Sequence, residues 1–144
     1  METIYKWFSS LFGSNLTEHL SGWDEATGGY TKANIFSSTG IIALFIAITL
    51  CVAYYYLINH PRFNRWWNWL TVLILVALLN FGIGFGLTFS DVLNENISSD
   101  LLPISWTDCL GFGFANLIIA SLFFIICSFV IKWGSRNAKH SPIF

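Results

Sequence analysis

Apolar positions along this chain fall into three long uninterrupted stretches, and the polar positions gather between and before them. Residues 66–90, WWNWLTVLILVALLNFGIGFGLTFS, contain no charged side chain. A helix needs about 20 residues to cross a bilayer, so this stretch is long enough, and two comparable stretches flank it. The pattern predicts an all-α integral membrane protein with spans at about 36–58, 67–90 and 109–131. Apolar residues all round a helix, rather than on one stripe, are what a lipid surface selects.

The first 35 residues are patterned differently. Ile4, Trp7, Phe8, Leu11, Phe12 and Leu16 recur at steps of three and four, with Glu2, Lys6, Ser9, Ser10 and Ser14 largely off that face. This spacing predicts an amphipathic helix lying at a membrane interface, apolar side down. No basic, apolar and small-residue sequence of a secretory signal precedes it. Residues 21–40 are rich in Gly, Ser and Thr and read as a loop that turns at Gly28 and Gly29. Asp24 and Glu25 read there as solvated turn residues.

Between the first two spans, NHPRFNR holds Pro61, which stops a helix, and the cations Arg62 and Arg65. His60 reads as a solvated or capping residue. Tyr54, Tyr55 and Tyr56 on one side of this connection, and Trp66, Trp67 and Trp69 on the other, read as one aromatic belt at the headgroup level. The second connection carries Asp91, Glu95, Asp100 and Asp108, no basic residue, and Pro103. The tail after residue 132 carries Arg136 and Lys139. Short Lys- and Arg-rich segments stay cytoplasmic. The expectation is therefore an extracytoplasmic segment 1–35, a transmembrane domain 36–132 and a basic cytoplasmic tail 133–144. The N-terminus would be outside and the C-terminus inside, in a plasma or inner membrane.

Composition agrees with the pattern. Of 144 residues, 55% are hydrophobic and only 10% charged, against about 25% charged in soluble domains. The mean hydropathy is +0.62. A net charge of -1 supplies no basic patch for nucleic acid. Cys51, Cys109 and Cys127 lack metal-ligand spacing, so no metal or other cofactor is expected. The length leaves no room for a soluble catalytic domain beside three spans. Span interiors without ionisable residues disfavour proton relays, voltage sensors and coupled transporters. With no nucleophile–base pair, an enzyme is not expected either.

The informative positions are the polar and small residues inside the spans. At about 1.5 Å per residue, Asn80 and Asn116 come to nearly the same depth. They are expected to face each other, or their symmetry mates, because an amide unpaired in lipid costs several kcal/mol. Gly82 and Gly86 form a GxxxG pair, and Ala77, Asn80, Gly84 and Thr88 form a second small-or-polar stripe. Gly113, Asn116 and Ala120 continue such a stripe on the third span, with Gly111 and Ala115 beside it. Stripes of this kind let helices approach closely. A non-helical, filter-like reading of Gly82, Gly84 and Gly86 lacks flanking Thr or Asp.

Two functions fit. The first is a structural or anchoring subunit of a homo-oligomeric or larger membrane assembly, with the lipid bilayer and other membrane subunits as partners. The second is a pore lined by Asn80, Asn116, Thr88 and Ser121, with Asp91, Glu95, Asp100 and Asp108 drawing cations to an acidic outer mouth. The mostly apolar inner half of the second span, residues 70–79, favours the first.

Overall fold

The computed structural model describes residues 1–24, 27–58, 66–94 and 104–132. Two short helices, α1 (Glu2–Lys6) and α2 (Ser9–Leu20), are followed by a two-stranded ribbon, β1 (Trp23–Asp24) and β2 (Gly29–Tyr30). Three long helices come next: α3 (Ile35–Val52), which continues into a π-helical end (Ala53–Ile58), α4 (Trp66–Asn94) and α5 (Trp106–Lys132). The apolar stretches Ile35–Tyr56, Trp66–Asn94 and Trp106–Lys132 are each long enough to cross a membrane. The protein is thus a mostly helical multi-pass membrane protein. Glu25, His60, Pro61, Arg62, Arg65, Glu95, Asp100, Pro103, Arg136 and Lys139 lie outside the described residues.

The chain forms two compact units, and each long helix contributes to both. The first comprises residues 1–42 and 81–116. Its centre is an aromatic cluster in which Phe112 on α5 meets Tyr5, Phe12 and Phe36, with ring centroids 5.3, 5.5 and 5.7 Å away. The second comprises residues 43–80 and 117–144. Its core is Ala43, Ala47, Cys51, Tyr54, Tyr55, Trp69, Val76, Ala120 and Phe124.

The N-terminal segment departs from the expected single interfacial helix. Its face is broken at Gly13, whose φ of 76° is left-handed and interrupts α2. Such a conformation is open to glycine and strained for other residues. The buried side chains are Tyr5, Phe12, Leu16, His19 and Leu20, whereas Trp7 and Leu11 of the expected apolar face are exposed. The segment instead follows α5. Gly13 lies by Asp108, the Leu11 backbone by Gly111, the Phe12 ring by Phe112, and Tyr5 by Asn116. From Gly13 beside Asp108 to Tyr5 beside Asn116 the numbers fall on one element as they rise on the other, so the two run antiparallel. From residue 108 to 116 this track extends about 12 Å at the helical rise.

The ribbon also lies outside an all-α reading. Trp23 pairs with Tyr30 and Asp24 with Gly29. Gly28 turns the chain with φ 63°. Asp24 Oδ2 accepts hydrogen bonds from the hydroxyls of Thr27 and Thr31 at 3.2 and 3.1 Å, so this carboxylate closes the ribbon.

The aromatic belt is divided. Tyr56, Trp66 and Trp67 are exposed, as interfacial residues should be, but Tyr54, Tyr55 and Trp69 are core residues of the second unit. The π-helical end spaces its hydrogen bonds at i→i+5, which reduces the angle between successive side chains. Adjacent Tyr54 and Tyr55 therefore both turn inward, their rings edge to face at 5.0 Å.

Candidate functional site

Of the polar groups expected to matter inside the spans, Asn116 belongs to the first unit and Asn80 to the second. In the first, Asn116 is fully buried, and its Oδ1 accepts a hydrogen bond from the Tyr5 hydroxyl at 2.5 Å. Burial raises the Tyr5 phenol well above its ordinary value, so the hydroxyl stays protonated and can donate. Gly84 on α4 backs this pair: a Cβ there would come within 2.9 Å of the Asn116 Cβ. Gly113 receives Phe81 and Phe85 in the same manner, at 3.1 and 3.2 Å. Tyr5→Phe removes the donor and is expected to cost about 1–3 kcal/mol, read as a lower thermal unfolding midpoint in detergent.

In the second unit, Asn80 is fully buried and its Nδ2 donates to the Val76 carbonyl at 2.9 Å. In the same unit, on α5, Ser121 donates to the Leu117 carbonyl at 2.8 Å. Ser128 Oγ accepts the Trp69 indole N–H at 3.2 Å and meets Cys51 Sγ at 3.6 Å. Cys51 thus serves as a small core residue. Ala120 is buried in the same core.

The glycines of α4 have unequal roles. The helix is continuous through them, against a filter-like backbone. Gly82 and Gly86 are exposed, and a Cβ on either would meet nothing within 4 Å. The second stripe holds the buried positions Asn80, Gly84 and Thr88. Gly84→Ala is expected to destabilise by about 1–3 kcal/mol through overpacking. Gly82→Ala and Gly86→Ala should stay within about 0.5 kcal/mol, as thermal unfolding in detergent will show. Thr88 Oγ1 and Thr39 Oγ1 are buried with no hydrogen-bond partner among the described residues.

Of the four acidic residues expected at an outer mouth, Asp91 and Asp108 are described, and both have structural partners. Asp108 Oδ2 accepts the Ser105 backbone N–H at 2.9 Å, at the start of α5. Asp91 Oδ2 lies 2.7 Å from His19 Nε2. His19 is buried, while the Asp91 side chain remains 31% exposed. The pair opens on a cavity of about 300 Å³ lined by His19, Lys32, Ala33, Ile35 and Asp91. In the first turn of α1, Glu2 bonds Lys6 and Asn34 at 2.6 Å each, and these partners hold its carboxyl below the usual 4.5.

Tyr5 and His19 were not singled out by the spacing of apolar residues. Tyr5, Phe12, Leu16 and Leu20 do recur at steps of seven, four and four, which is a usable signal. Nothing local points from His19 to Asp91, 72 residues away. Among the described residues no group of three or more His, Cys, Asp or Glu side chains is arranged to hold a metal ion. Comparison with known proteins gives no match among family models, curated proteins or solved structures.

Proposed function

We propose that this protein is a non-enzymatic structural or anchoring subunit of a homo-oligomeric or larger membrane assembly. The supporting observation is the distribution of burial on α4. Only 22% of its apolar window is buried within the chain, against 33% for each of the other two spans. Ile74, Leu75, Leu78, Leu79, Leu87 and Leu93 are exposed, and the bare backbone of Gly82 and Gly86 lies among them. Lipid covers such a face without a hydrophobic driving force for association. Exposed small residues permit close approach of another helix, which is how membrane subunits pack.

The polar residues inside each unit support packing rather than conduction. Asn116 is occupied by Tyr5, and the second unit is filled by tyrosine, tryptophan and phenylalanine rings. The N-terminal segment stays on the extracytoplasmic side in this reading, and the tail is cytoplasmic.

The test is the mass of the protein extracted in a mild detergent, by light scattering with detergent subtracted. The expected result is a defined oligomer or a complex with a second membrane protein. Gly82→Leu with Gly86→Leu should reduce it to single chains while leaving the unfolding midpoint of the chain nearly unchanged. A monodisperse single chain, extracted without any partner, contradicts the proposal.

A further inference from the structure

The cavity beside His19 and Asp91 has a chemistry that the subunit role does not use. We infer that it binds the headgroup of a zwitterionic phospholipid bearing a primary ammonium, namely phosphatidylethanolamine. Two observations set its level. Lys32 is the last charged residue before the uncharged residues 33–59, and Asp91 is the first after the uncharged residues 66–90. Charged residues that bracket apolar spans sit where hydrocarbon gives way to headgroups. The cavity that both line therefore opens at that level.

The lining matches the ligand group by group. Lys32 is an exposed lining residue of the charge that a phosphodiester requires, and Asp91 offers a partly exposed carboxylate to an ammonium. Ala33 and Ile35 supply the apolar wall that leads from the headgroup to the acyl chains. The volume, about 300 Å³, is at the lower end of ordinary ligand sites and suits a headgroup rather than a whole lipid.

The carboxylate of Asp91 and the backbone that carries Lys32 are held in place before a ligand arrives. His19 Nε2, on a buried ring, fixes one oxygen of Asp91. The Lys32 backbone N–H donates to the Gly22 carbonyl at 3.0 Å. Gly22 has φ 98°, and a Cβ there would collide with the Lys32 carbonyl, so the turn that presents Lys32 is specific to glycine. Preorganisation of this kind lowers the ordering cost of binding.

Charge and hydrogen bonding together select among lipids. Choline has no N–H to donate to Asp91, and glycerol has no cation. The full-length protein is delipidated in detergent, then equilibrated with equal amounts of dioleoyl phosphatidylethanolamine, phosphatidylcholine and phosphatidylglycerol. Retained lipid is counted by native mass spectrometry. The ethanolamine lipid is expected to be retained about tenfold over the other two, the ratio that one charge-assisted hydrogen bond supplies. Asp91→Asn should bring the ethanolamine-to-choline ratio to about one, since the ammonium loses its counter-ion. Lys32→Gln, on an exposed side chain, should lower retention of all three and tests the site even where Asp91→Asn fails to fold. Equal retention by the unaltered protein overturns the inference, as does an unchanged retention in Lys32→Gln. Binding of glycerophosphoethanolamine, the deacylated headgroup, as tightly as the lipid overturns it too, because the site would then serve a soluble ligand.

Discussion

Phe112→Ala should release the N-terminal segment from its track on α5. Phe112 is the ring that touches all three of Tyr5, Phe12 and Phe36, and all four are fully buried. Removing a buried phenyl ring costs about 3–5 kcal/mol in a water-soluble core. Near lipid the transfer part is smaller, because hydrocarbon is as apolar as the core, while the lost ring contacts and the cavity remain. About 2–4 kcal/mol is expected. The readout is tryptic cleavage after Lys6, whose side chain is exposed although its helix is docked. When opening is fast relative to cleavage, the rate follows the population of the open form. A loss of about 2–4 kcal/mol therefore raises it by roughly 30-fold or more. Cleavage at the original rate would mean that the aromatic cluster does not hold the segment.

Gly111→Val tests the same docking through the backbone. A Cβ at Gly111 would overlap the Leu11 carbonyl, with Phe12 Cα just beyond. These are main-chain atoms, so no rotamer change relieves the overlap, and α2 must move away from α5. Overpacking against a fixed backbone costs about 1–3 kcal/mol or more, and β-branching adds a smaller helix penalty. Cleavage after Lys6 should accelerate as in Phe112→Ala. Gly86→Val is the matched control, because it carries the same helix penalty at an open position and should leave cleavage unchanged. Equal behaviour of the two variants would remove the close approach of α2 and α5 from the description.

The three spans were legible because lipid imposes a simple rule: about 20 residues without charge. Residues 36–58, 67–90 and 109–131 fall inside or nearly inside the helical stretches observed. Of the second small-or-polar stripe, α4 buries Asn80, Gly84 and Thr88, alongside Trp69 and Val76. The GxxxG spacing of Gly82 and Gly86 gave no such guide within a single chain, because spacing shows which residues share a face but not whether a neighbour meets it. The N-terminal segment differs from its pattern on similar grounds. Apolar steps favoured Trp7 and Leu11, yet Tyr5 is the buried residue, because Asn116 gives its hydroxyl a partner. Periodicity cannot register a hydrogen bond across 111 positions. Nor could it show that Tyr54, Tyr55 and Trp69 leave the belt for a core, since aromatic rings suit both places.

The central claim is that the polar residues of the spans hold a packed subunit together and do not line a conducting path. Single-channel recording on the purified protein in planar bilayers tests it most directly. The packed subunit predicts no conductance above that of protein-free bilayers, for the unaltered protein and for Asn80→Leu and Asn116→Leu alike. Sustained cation-selective steps that change in size or disappear in either variant would contradict it.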